Sequence, residues 1–525
     1  MTGANGKFII VVSFTKEGKK EKKMELSKIV NGYDCNVIGN CNTNISSIKI
    51  DSKSVEKDDV FVCLVGERHD GNDYVLEAIK NGASVVVTNR KVVYDQVVTV
   101  QVEDTRKAYA YFSSAFFDFP SKKLKTVAIV GTNGKTTTSY ILKSVLESAN
   151  KKVGVIGTLG VVVDGEKYES SMTTPDPFYL QKYLSVMVDN SIEYAIIEVS
   201  AHAIFYNKIY GIRFNYSIFT NFSQDHLDFF ASMANYFMTK LSFFTKDKVE
   251  VAVINSDDLL GRVLLTGNIN LAKNEYHLKD SKNKFYSIKR YFEDDYNISK
   301  ISYGIENPCD VFLIDLKLGD NISFIVNSFD DIFLVKSSLA GRYNAYNLLG
   351  VIALCSVLGI DKKKIVEGIK NVKQIEGRFN LITRGNKKVV VDFAHTEDGL
   401  KNLLTLCRST CKGRLICLFG AGGNRDKTKR EKMGKVASEY ADLIVLTSDN
   451  PRYENPRKII ADIEKGISKE YFVVEDRKDA IIFAISKMHD DDLLVIAGKG
   501  GETKQEINGI FYDFNDKNIV EKYLR

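Results

Sequence analysis

Nothing in the 525 residues approaches the length of apolar chain that a membrane span needs. A transmembrane protein of helical type is therefore not expected. Eight cysteines are scattered through the sequence. Cys407, Cys411 and Cys417 lie near one another, but no second CxxC-type half completes a zinc site. All eight read as reduced cysteines of a cytoplasmic protein. Charge of one sign is also scarce in excess: 73 Lys and Arg against 67 Asp and Glu leave +6. A nucleic-acid binder would be more basic or carry a basic stripe, so no nucleic-acid partner is expected. The start is not expected to act as a secretory signal. FIIVVSF, Phe8 to Phe14, is short, has little basic leader beyond Lys7, and runs into KEGKKEKK instead of a small-residue cleavage site. Residues 1–23 read as a disordered or mis-assigned leader, with Met24 as an alternative start.

What remains is ordinary for a globular chain: 44% hydrophobic and 27% charged residues. The length predicts roughly three domains. The most informative stretch is TVAIVGTNGKTTT, Thr126 to Thr138. An apolar strand pattern, Val127 to Val130, meets a turn bracketed by Gly131 and Gly134. A helical pattern follows with Ile141, Leu142, Val145, Leu146 and Ala149 on one face. Strand, glycine turn and helix are the layout of a phosphate-binding loop. Backbone N–H groups and the helix N-terminus would cradle phosphate oxygens. Lys135 would reach the outer phosphates, and the Thr136 hydroxyl would hold Mg²⁺. The usual first glycine is absent; Ile129 stands there. The alternative is an ordinary tight turn.

Upstream, strands Val60 to Val65 and Ser84 to Val87 bracket a helix containing Tyr74 to Lys80, a small α/β unit. Its loops DSK, Asp51 to Lys53, and GERHDG, Gly66 to Gly71, suit either turn chemistry or a polar ligand. PSKKLK, Pro120 to Lys125, reads as a linker. Downstream, apolar strands Val153 to Ile156, Tyr194 to Ile197, Tyr216 to Phe219 and Val251 to Ile254 end in GTLG, EVSAH, TNFSQDH and NSDD. In open α/β sheets ligands collect at the carboxyl ends of strands. A second series starts near Glu376: Val389 to Val391, Leu415 to Phe419, Leu443 to Leu446, Phe472 to Val474 and Leu493 to Ile496. It reads as a separate doubly wound domain. Its GAGG is only a weak dinucleotide signal.

Glu198 closes the strand YAIIE, where a carboxylate suits Mg²⁺ beside phosphates or simply ends a strand in solvent. His202 and His226 stand at adjacent strand ends; a lone histidine is more often structural. Lys240 sits among aromatics in ANYFMTKLSFF, where a lysine would normally carry its ammonium to solvent. Arg425 and Lys427, Asp449 to Arg452, and Glu502 offer both charge signs at neighbouring strand ends. They suit a zwitterionic amino acid or surface ion pairs.

Together these stretches resemble the Mur ligases, the ATP-dependent amino-acid-adding enzymes of peptidoglycan synthesis. The motifs appear in family order from about Ile48 onward: DSK, DGNDY, GTNGKTTT, TTPD, EVSAH, FTNFSQDHLD, GRYNAYN, EGRFN, DFAHT, GGNRDKTKR, DNPR and GKGGE. The resemblance implies an α/β protein of three domains. These are a small UDP-substrate-binding domain (24–123), a central P-loop ATPase-type sheet (124–375) and a C-terminal Rossmann-like, amino-acid-binding domain (376–525). It implies ATP on Gly131, Thr132, Asn133, Gly134, Lys135, Thr136 and Thr137, with Asn344, Asn347, Arg378, Asp392 and His395 lining the nucleotide pocket. Glu198, His226 and a carbamylated Lys240 would join Thr136 around Mg²⁺, and with Lys135 form the catalytic set. Ser52, Glu67, Arg68, His69, Thr173, Thr174, Ser200, Tyr206 and Lys208 would meet the UDP-muramoyl dipeptide.

Members that use meso-diaminopimelate carry DNPR, matched by Asp449, Asn450, Pro451 and Arg452. Arg425, Gly498 and Glu502 match too. An arginine fork suits the extra distal carboxylate of diaminopimelate. Ala201, Tyr206, Lys208, Tyr343 and Gly501 depart from the commoner family residues. The resemblance implies a monomer in the cytoplasm, acting on small molecules in cell-wall synthesis and so in cell shape and division. The expected reaction phosphorylates the D-Glu γ-carboxylate to an acyl phosphate, which the incoming amine then attacks. A lysine-adding member, a folylpolyglutamate synthetase and an inactive ligase-like scaffold are the alternatives.

Overall fold

The computed structural model describes residues 23–66, 69–170, 172–273, 275–276, 298–319, 321–372 and 374–524. The leader expected at 1–23 lies outside them except for Lys23, whose ammonium pairs with Asp58 at 2.9 Å. Glu67 and Arg68 lie outside them as well. No helix among the described residues is long and apolar enough to cross a membrane. None of the eight cysteines is in a disulfide.

The chain folds into two compact units. The first takes the residues up to Lys123 together with Gly160–Asn190 and Tyr206–Ile212. Its sheet has five strands, β1 (Asn36–Ile38), β2 (Ser47–Lys49), β3 (Asp59–Val62), β4 (Ala83–Thr88) and β5 (Val98–Gln101), in the order β1-β5-β4-β3-β2. β2 to β5 run parallel and β1 antiparallel. Strands β3 and β4 are apolar on both faces, as a sheet covered on both sides requires. Helix α1 (Val75–Asn81) follows β3, and α2 (Thr105–Phe116) follows β5. The Asp104 carboxylate caps α2 by accepting from the Arg106 and Lys107 amides. Phe178, on the helix Pro177–Asp189, packs against Phe116 and Phe117 at 5.7 and 5.1 Å. Sequence patterning carries no sign that this later segment joins the first unit.

The second unit holds two sheets. The stretch read as a linker is ordered: Pro120–Lys123 is a 3-10 turn and Lys125 opens β6 (Lys125–Val130). β6 leads through the glycine turn to α3 (Lys135–Ser148). The remaining strands that the second unit gives this sheet are β7 (Val153–Gly157), β8 (Tyr194–Val199), β9 (Phe214–Phe219), β10 (Val249–Asn255), β11 (Ser299–Gly304), β12 (Val311–Leu318), β13 (Ile322–Ser328) and β14 (Asp331–Ser337). Their order is β7-β8-β6-β9-β10-β11-β12-β13-β14. All neighbours are parallel up to β12; the last two pairings are antiparallel. Chain direction across the sheet reverses at β6, so β6, β8 and β9 deliver their loops to one switch point. Helix α4 (Met233–Leu241) follows β9, and α5 (Arg342–Val357) follows β14.

The other sheet has β15 (Asn380–Arg384), β16 (Lys387–Asp392), β17 (Leu415–Phe419), β18 (Leu443–Leu446), β19 (Tyr471–Val473) and β20 (Leu493–Ala497). Their order is β15-β16-β20-β17-β18-β19, parallel except for β15. Helices α6 (Glu397–Thr410) and α7 (Thr428–Tyr440) pack their Leu and Met faces on one side of it. β16, β17, β18 and β20 end at DFAHT, GAGGNRDK, TSDNPR and AGKGGE, so four polar loops share one edge.

Candidate functional site

At the switch point Glu198 is wholly buried at the end of β8, paired in register with Ile129 of β6. Its carboxylate accepts from the Thr136 hydroxyl at 3.0 Å and the Thr158 hydroxyl at 2.9 Å. Gly157 is a glycine for a steric reason: a Cβ there would collide with Glu198 Oε1. Burial pushes the Glu198 carboxyl above its usual range, against the pull of Lys135, the two threonines and Arg378. When ionised, a buried carboxylate that accepts from two hydroxyls is a hard oxygen ligand.

The turn before α3 is shaped by Gly134, which has φ +84°; a Cβ on it would also sit 2.5 Å from Asn347 Oδ1. Lys135 Nζ donates to the Gly131 and Thr132 carbonyls, both at 2.9 Å. Burial lowers the Lys135 pKa, while Glu198 and Asp225 raise it. Asn347 Nδ2 donates to Asn344 Oδ1 at 3.0 Å, and Thr138 donates to Asn347 at 3.2 Å. Arg378 reaches Thr136 Oγ1 at 3.2 Å and lies over the Phe393 ring at 4.4 Å. Asp392 accepts the Phe379 and Ala394 amides at 2.7 and 2.8 Å, and His395 Nδ1 meets the Phe393 carbonyl at 2.8 Å. Of the residues expected to line a nucleotide pocket, Asn347 thus abuts Gly134 and Arg378 reaches Thr136, while Asn344 packs beside Asn347, and Asp392 and His395 flank Phe393 under Arg378.

His226 adopts φ 56°, a left-handed conformation costly for a residue with a Cβ. Burial holds its imidazole below the ordinary range, although about a third of the side chain (32%) meets solvent. Its ring lies 4.8 Å from that of His202. Lys240, 1% exposed, does not carry its ammonium to solvent. Nζ lies 4.9 Å over the Tyr236 ring, one helical turn earlier on α4. Burial, then Lys135, push its pKa well down; Asp225 and Asp258 oppose them. The neutral amine this favours is a nucleophile. Among the described residues no three His, Cys, Asp or Glu side chains converge as a preformed metal site. A metal here would draw on Thr136 and Lys240 as well.

Asp225 and Asp398 were not singled out in the sequence. Asp225 lies 3.4 Å from His226 Nε2, 3.6 Å from His395 Nε2 and 3.3 Å from Lys429 Nζ. Asp398 accepts from Asn133 Nδ2 at 2.9 Å. The only sequence signal was a second carboxylate inside QDHLD.

At the loop edge of the second sheet, Lys499 is fully buried and donates to Asn450 Oδ1, Glu502 Oε2 and the Lys504 carbonyl at 2.9, 2.7 and 2.8 Å. Asn450 also donates to Glu502 at 2.9 Å. Arg452, at φ 51°, donates to the Gly423 carbonyl at 2.8 Å and pairs with Glu506 at 3.1 Å. A Cβ on Gly422 would lie 3.0 Å from Arg452 Nη1 and 3.6 Å from Arg425 Cγ, so both arginines flank that loop. Gly498, at φ +116°, leaves space for Asp449 Oδ2. Pro451 joins Asn450 to Arg452. Lys499 was missed because a lysine between glycines reads as surface.

In the first unit, Ser52 Oγ donates to Glu77 at 2.5 Å and His69 Nδ1 meets the Tyr74 hydroxyl at 3.2 Å. Lys208 pairs with Asp176 of TTPD at 2.8 Å, and Arg106 stacks on Tyr206 at 4.4 Å. Thr174 is buried and Thr173 half-buried on the same stretch. Ser200, in the second unit, accepts from the Ala203 amide at 3.2 Å.

Three family models match the chain: Mur ligase family, catalytic domain, over 44–117; Mur ligase middle domain, over 129–355; and Mur ligase, glutamate ligase domain, over 377–500. A curated relative, UDP-N-acetylmuramoyl-L-alanyl-D-glutamate–2,6-diaminopimelate ligase 1 of Clostridium acetobutylicum, is 39% identical over 96% of this chain and 99% of its own. A solved structure of a UDP-N-acetylmuramoyl-L-alanyl-D-glutamate–2,6-diaminopimelate ligase superimposes with a TM-score of 0.63 at 26% identity, covering 96% of this chain and 99% of that one. A MurF ligase from Thermotoga maritima, solved with ADP, shares the fold with a TM-score of 0.58 at 18% identity, over 91% of this chain and 97% of that one.

Proposed function

The chain belongs to the Mur ligase family, and on that footing we propose that it adds meso-2,6-diaminopimelate to UDP-N-acetylmuramoyl-L-alanyl-D-glutamate. It is an ATP-dependent ligase that forms an amide bond, placed here in peptidoglycan precursor synthesis. The observation that carries the reading is Glu198. It is a buried carboxylate set between the phosphate-loop threonine and a second threonine, electrostatically coupled to Lys135.

In this reading Gly131 to Thr137 hold the ATP phosphates through backbone amides and the Lys135 ammonium. Asn344, Asn347, Arg378, Asp392 and His395 line the nucleotide pocket. The donor set fits Mg²⁺: Thr136 and Glu198 supply oxygens, His226 a neutral nitrogen, and Lys240 an oxygen once carbamylated. Mg²⁺, when bound, neutralises charge on phosphate oxygens. Carbamylation needs a neutral amine, and the burial of Lys240 supplies one: the amine nitrogen bonds to CO₂ carbon and loses a proton.

The γ-carboxylate of D-Glu attacks the γ-phosphorus of ATP and ADP leaves. Lys135 and Arg378 hold the charge that spreads over the transferring group. The acyl phosphate so formed is attacked by the diaminopimelate amine, and phosphate departs. Arg452 and Arg425 would take the carboxylates of the amino acid, and Glu502 its distal ammonium, around Asp449, Asn450, Pro451 and Gly498. Ser52, Glu67, Arg68, His69, Thr173, Thr174, Ser200, Tyr206 and Lys208 would contact the UDP-muramoyl dipeptide. We place the enzyme in the cytoplasm as a monomer.

Product mass after incubation with ATP, Mg²⁺, the UDP-dipeptide and either diaminopimelate or lysine tests this. A product longer by diaminopimelate is expected. A product only with lysine moves the chain to the lysine-adding members. No product and no inorganic phosphate with either amino acid overturns the reading.

A further inference from the structure

In the first unit, β3 and β5 are parallel members of one sheet, so the loops that follow them leave from the same edge. One cation joins those loops. Arg106, on the first turn of α2 beyond β5, donates from Nη2 to the Val65 carbonyl beyond β3 at 2.7 Å. Its guanidinium lies 4.4 Å over the Tyr206 ring. Val65 leads into the loop that contains His69, and Tyr206 into the segment that contains Lys208. Both stretches carry residues that the resemblance assigns to the UDP-muramoyl dipeptide, and Arg106 stands between them.

Neighbouring cations are matched and this one is not. Arg90, the other arginine described in the first unit, pairs with Asp70 at 2.7 Å and Asp73 at 3.4 Å. Lys208, with 13% of its side chain exposed, pairs with Asp176 at 2.8 Å, so its charge is already offset. Arg106 is half-buried and has no carboxylate partner among the described residues. The ring fixes its plane and the carbonyl fixes one edge. The remaining N–H donors are thereby preorganised for a bidentate anion. The UDP-muramoyl dipeptide carries two kinds of anion, the diphosphate that joins nucleotide to sugar and the carboxylates of the peptide. The diphosphate lies in the middle of the substrate and holds its densest charge, as Arg106 lies between the two substrate-contacting stretches.

We propose that Arg106 binds the diphosphate of the UDP-muramoyl dipeptide, in a plane set by Tyr206 and the Val65 carbonyl. The inference rests on the reading of the substrates given above. It makes Arg106, more than Lys208, the cationic contact of the first unit.

The test is the affinity of UDP, uridine and the UDP-dipeptide for the full chain, by calorimetry. Arg106→Gln should weaken UDP and the UDP-dipeptide by about 10- to 100-fold, with uridine changed less than about twofold. Arg106→Lys should recover part of the loss, because it keeps the charge and gives up the fork. Added salt should weaken UDP less in Arg106→Gln than in the wild type. In turnover the KM for the UDP-dipeptide should rise with kcat nearly kept. Lys208→Gln should cost UDP affinity less than Arg106→Gln does; the reverse order overturns the proposal. If Arg106→Gln does not melt cooperatively near the wild type, Arg106→Lys with UDP and uridine carries the comparison. An equal loss of uridine affinity marks a structural role and overturns the proposal. Loss of UDP-dipeptide affinity alone moves Arg106 to a peptide carboxylate and overturns the diphosphate assignment. Unchanged affinities overturn it outright, and each of these leaves the substrate reading standing. A wild type that binds neither UDP nor the UDP-dipeptide overturns the substrate reading itself.

Discussion

Glu198 and Lys499 are both completely buried, one at each end of the site, and the protein compensates them in different ways. Lys499 has three acceptors supplied by the chain itself. Glu198 has hydroxyl donors but keeps a carboxyl raised by burial, and nearby Lys135 and Lys240 are both lowered by burial. The phosphate end therefore holds charges whose solvation is incomplete within the protein, and the amino-acid end holds charges already matched. Preorganised, poorly solvated charges act most strongly on charge that develops during reaction. The first region is suited to chemistry and the second to recognition.

The largest effect should come from the phosphate end. Glu198→Gln keeps the shape and removes the charge; kcat should fall by about 10³ or more, with diaminopimelate affinity little changed. Lys240→Ala should lose a comparable factor, and Lys240→Arg should not rescue it, because a guanidinium stays protonated and cannot take up CO₂. Full activity in Lys240→Ala would remove the carbamate from the reading. At the amino-acid end, Arg452→Lys should act on recognition: KM for diaminopimelate should rise by about 10- to 100-fold with kcat nearly kept. Equal losses of kcat in Glu198→Gln and Arg452→Lys would erase the contrast between the two ends.

Asp258 sharpens the comparison by pH. It caps the helix Leu259–Thr266 through the Leu260 and Gly261 amides and accepts the Phe222 amide at 2.7 Å. Burial raises its carboxyl from 3.8 to about 6. Between those values the folded state holds a proton that the unfolded state has released. Its contribution to stability is therefore full below 3.8 and is lost as pH rises through about 6. The loss is at most about 3 kcal/mol, reduced by the part of the residue that solvent reaches. Asp258→Asn should flatten the dependence of Tm on pH between 4 and 6 by that amount; an unchanged profile would show that Asp258 does not carry it.

Much of the second unit was legible in the sequence because its strands are uniformly apolar and stop at polar loops. Leu415–Phe419 and Leu443–Leu446 form strands with the bounds that patterning gives. Covered parallel strands leave such runs. The antiparallel extension Val311–Ser337 has alternating or mixed faces and was not read. The passage of Gly160–Asn190 and Tyr206–Ile212 into the first unit was invisible because it depends on contacts far apart in sequence. At the site, motifs marked the loops but not the partners. Asp225 gains its meaning from Lys429, 204 positions away, and no local pattern encodes that pair. The left-handed backbone at His226 and Arg452 was equally hidden: histidine enters that region more readily than most residues, but neither position carried a local signal for it.

The smallest effect should separate packing from hydrogen bonding at the phosphate end. Tyr236 is 1% exposed; its hydroxyl lies 3.1 Å from Thr132 Oγ1, and its ring faces Lys240 and, at 6.0 Å, His226. Tyr236→Phe keeps the ring and loses one neutral hydrogen bond, so stability should fall by about 1 kcal/mol and kcat by less than about threefold. Tyr236→Leu removes the π face under Lys240 and should reduce both further, by about 1 kcal/mol beyond the phenylalanine variant. If the phenylalanine variant loses as much activity as the leucine one, the hydroxyl and its link to the phosphate loop govern Lys240. Then the incomplete compensation seen at this end would lie in one hydrogen bond more than in burial.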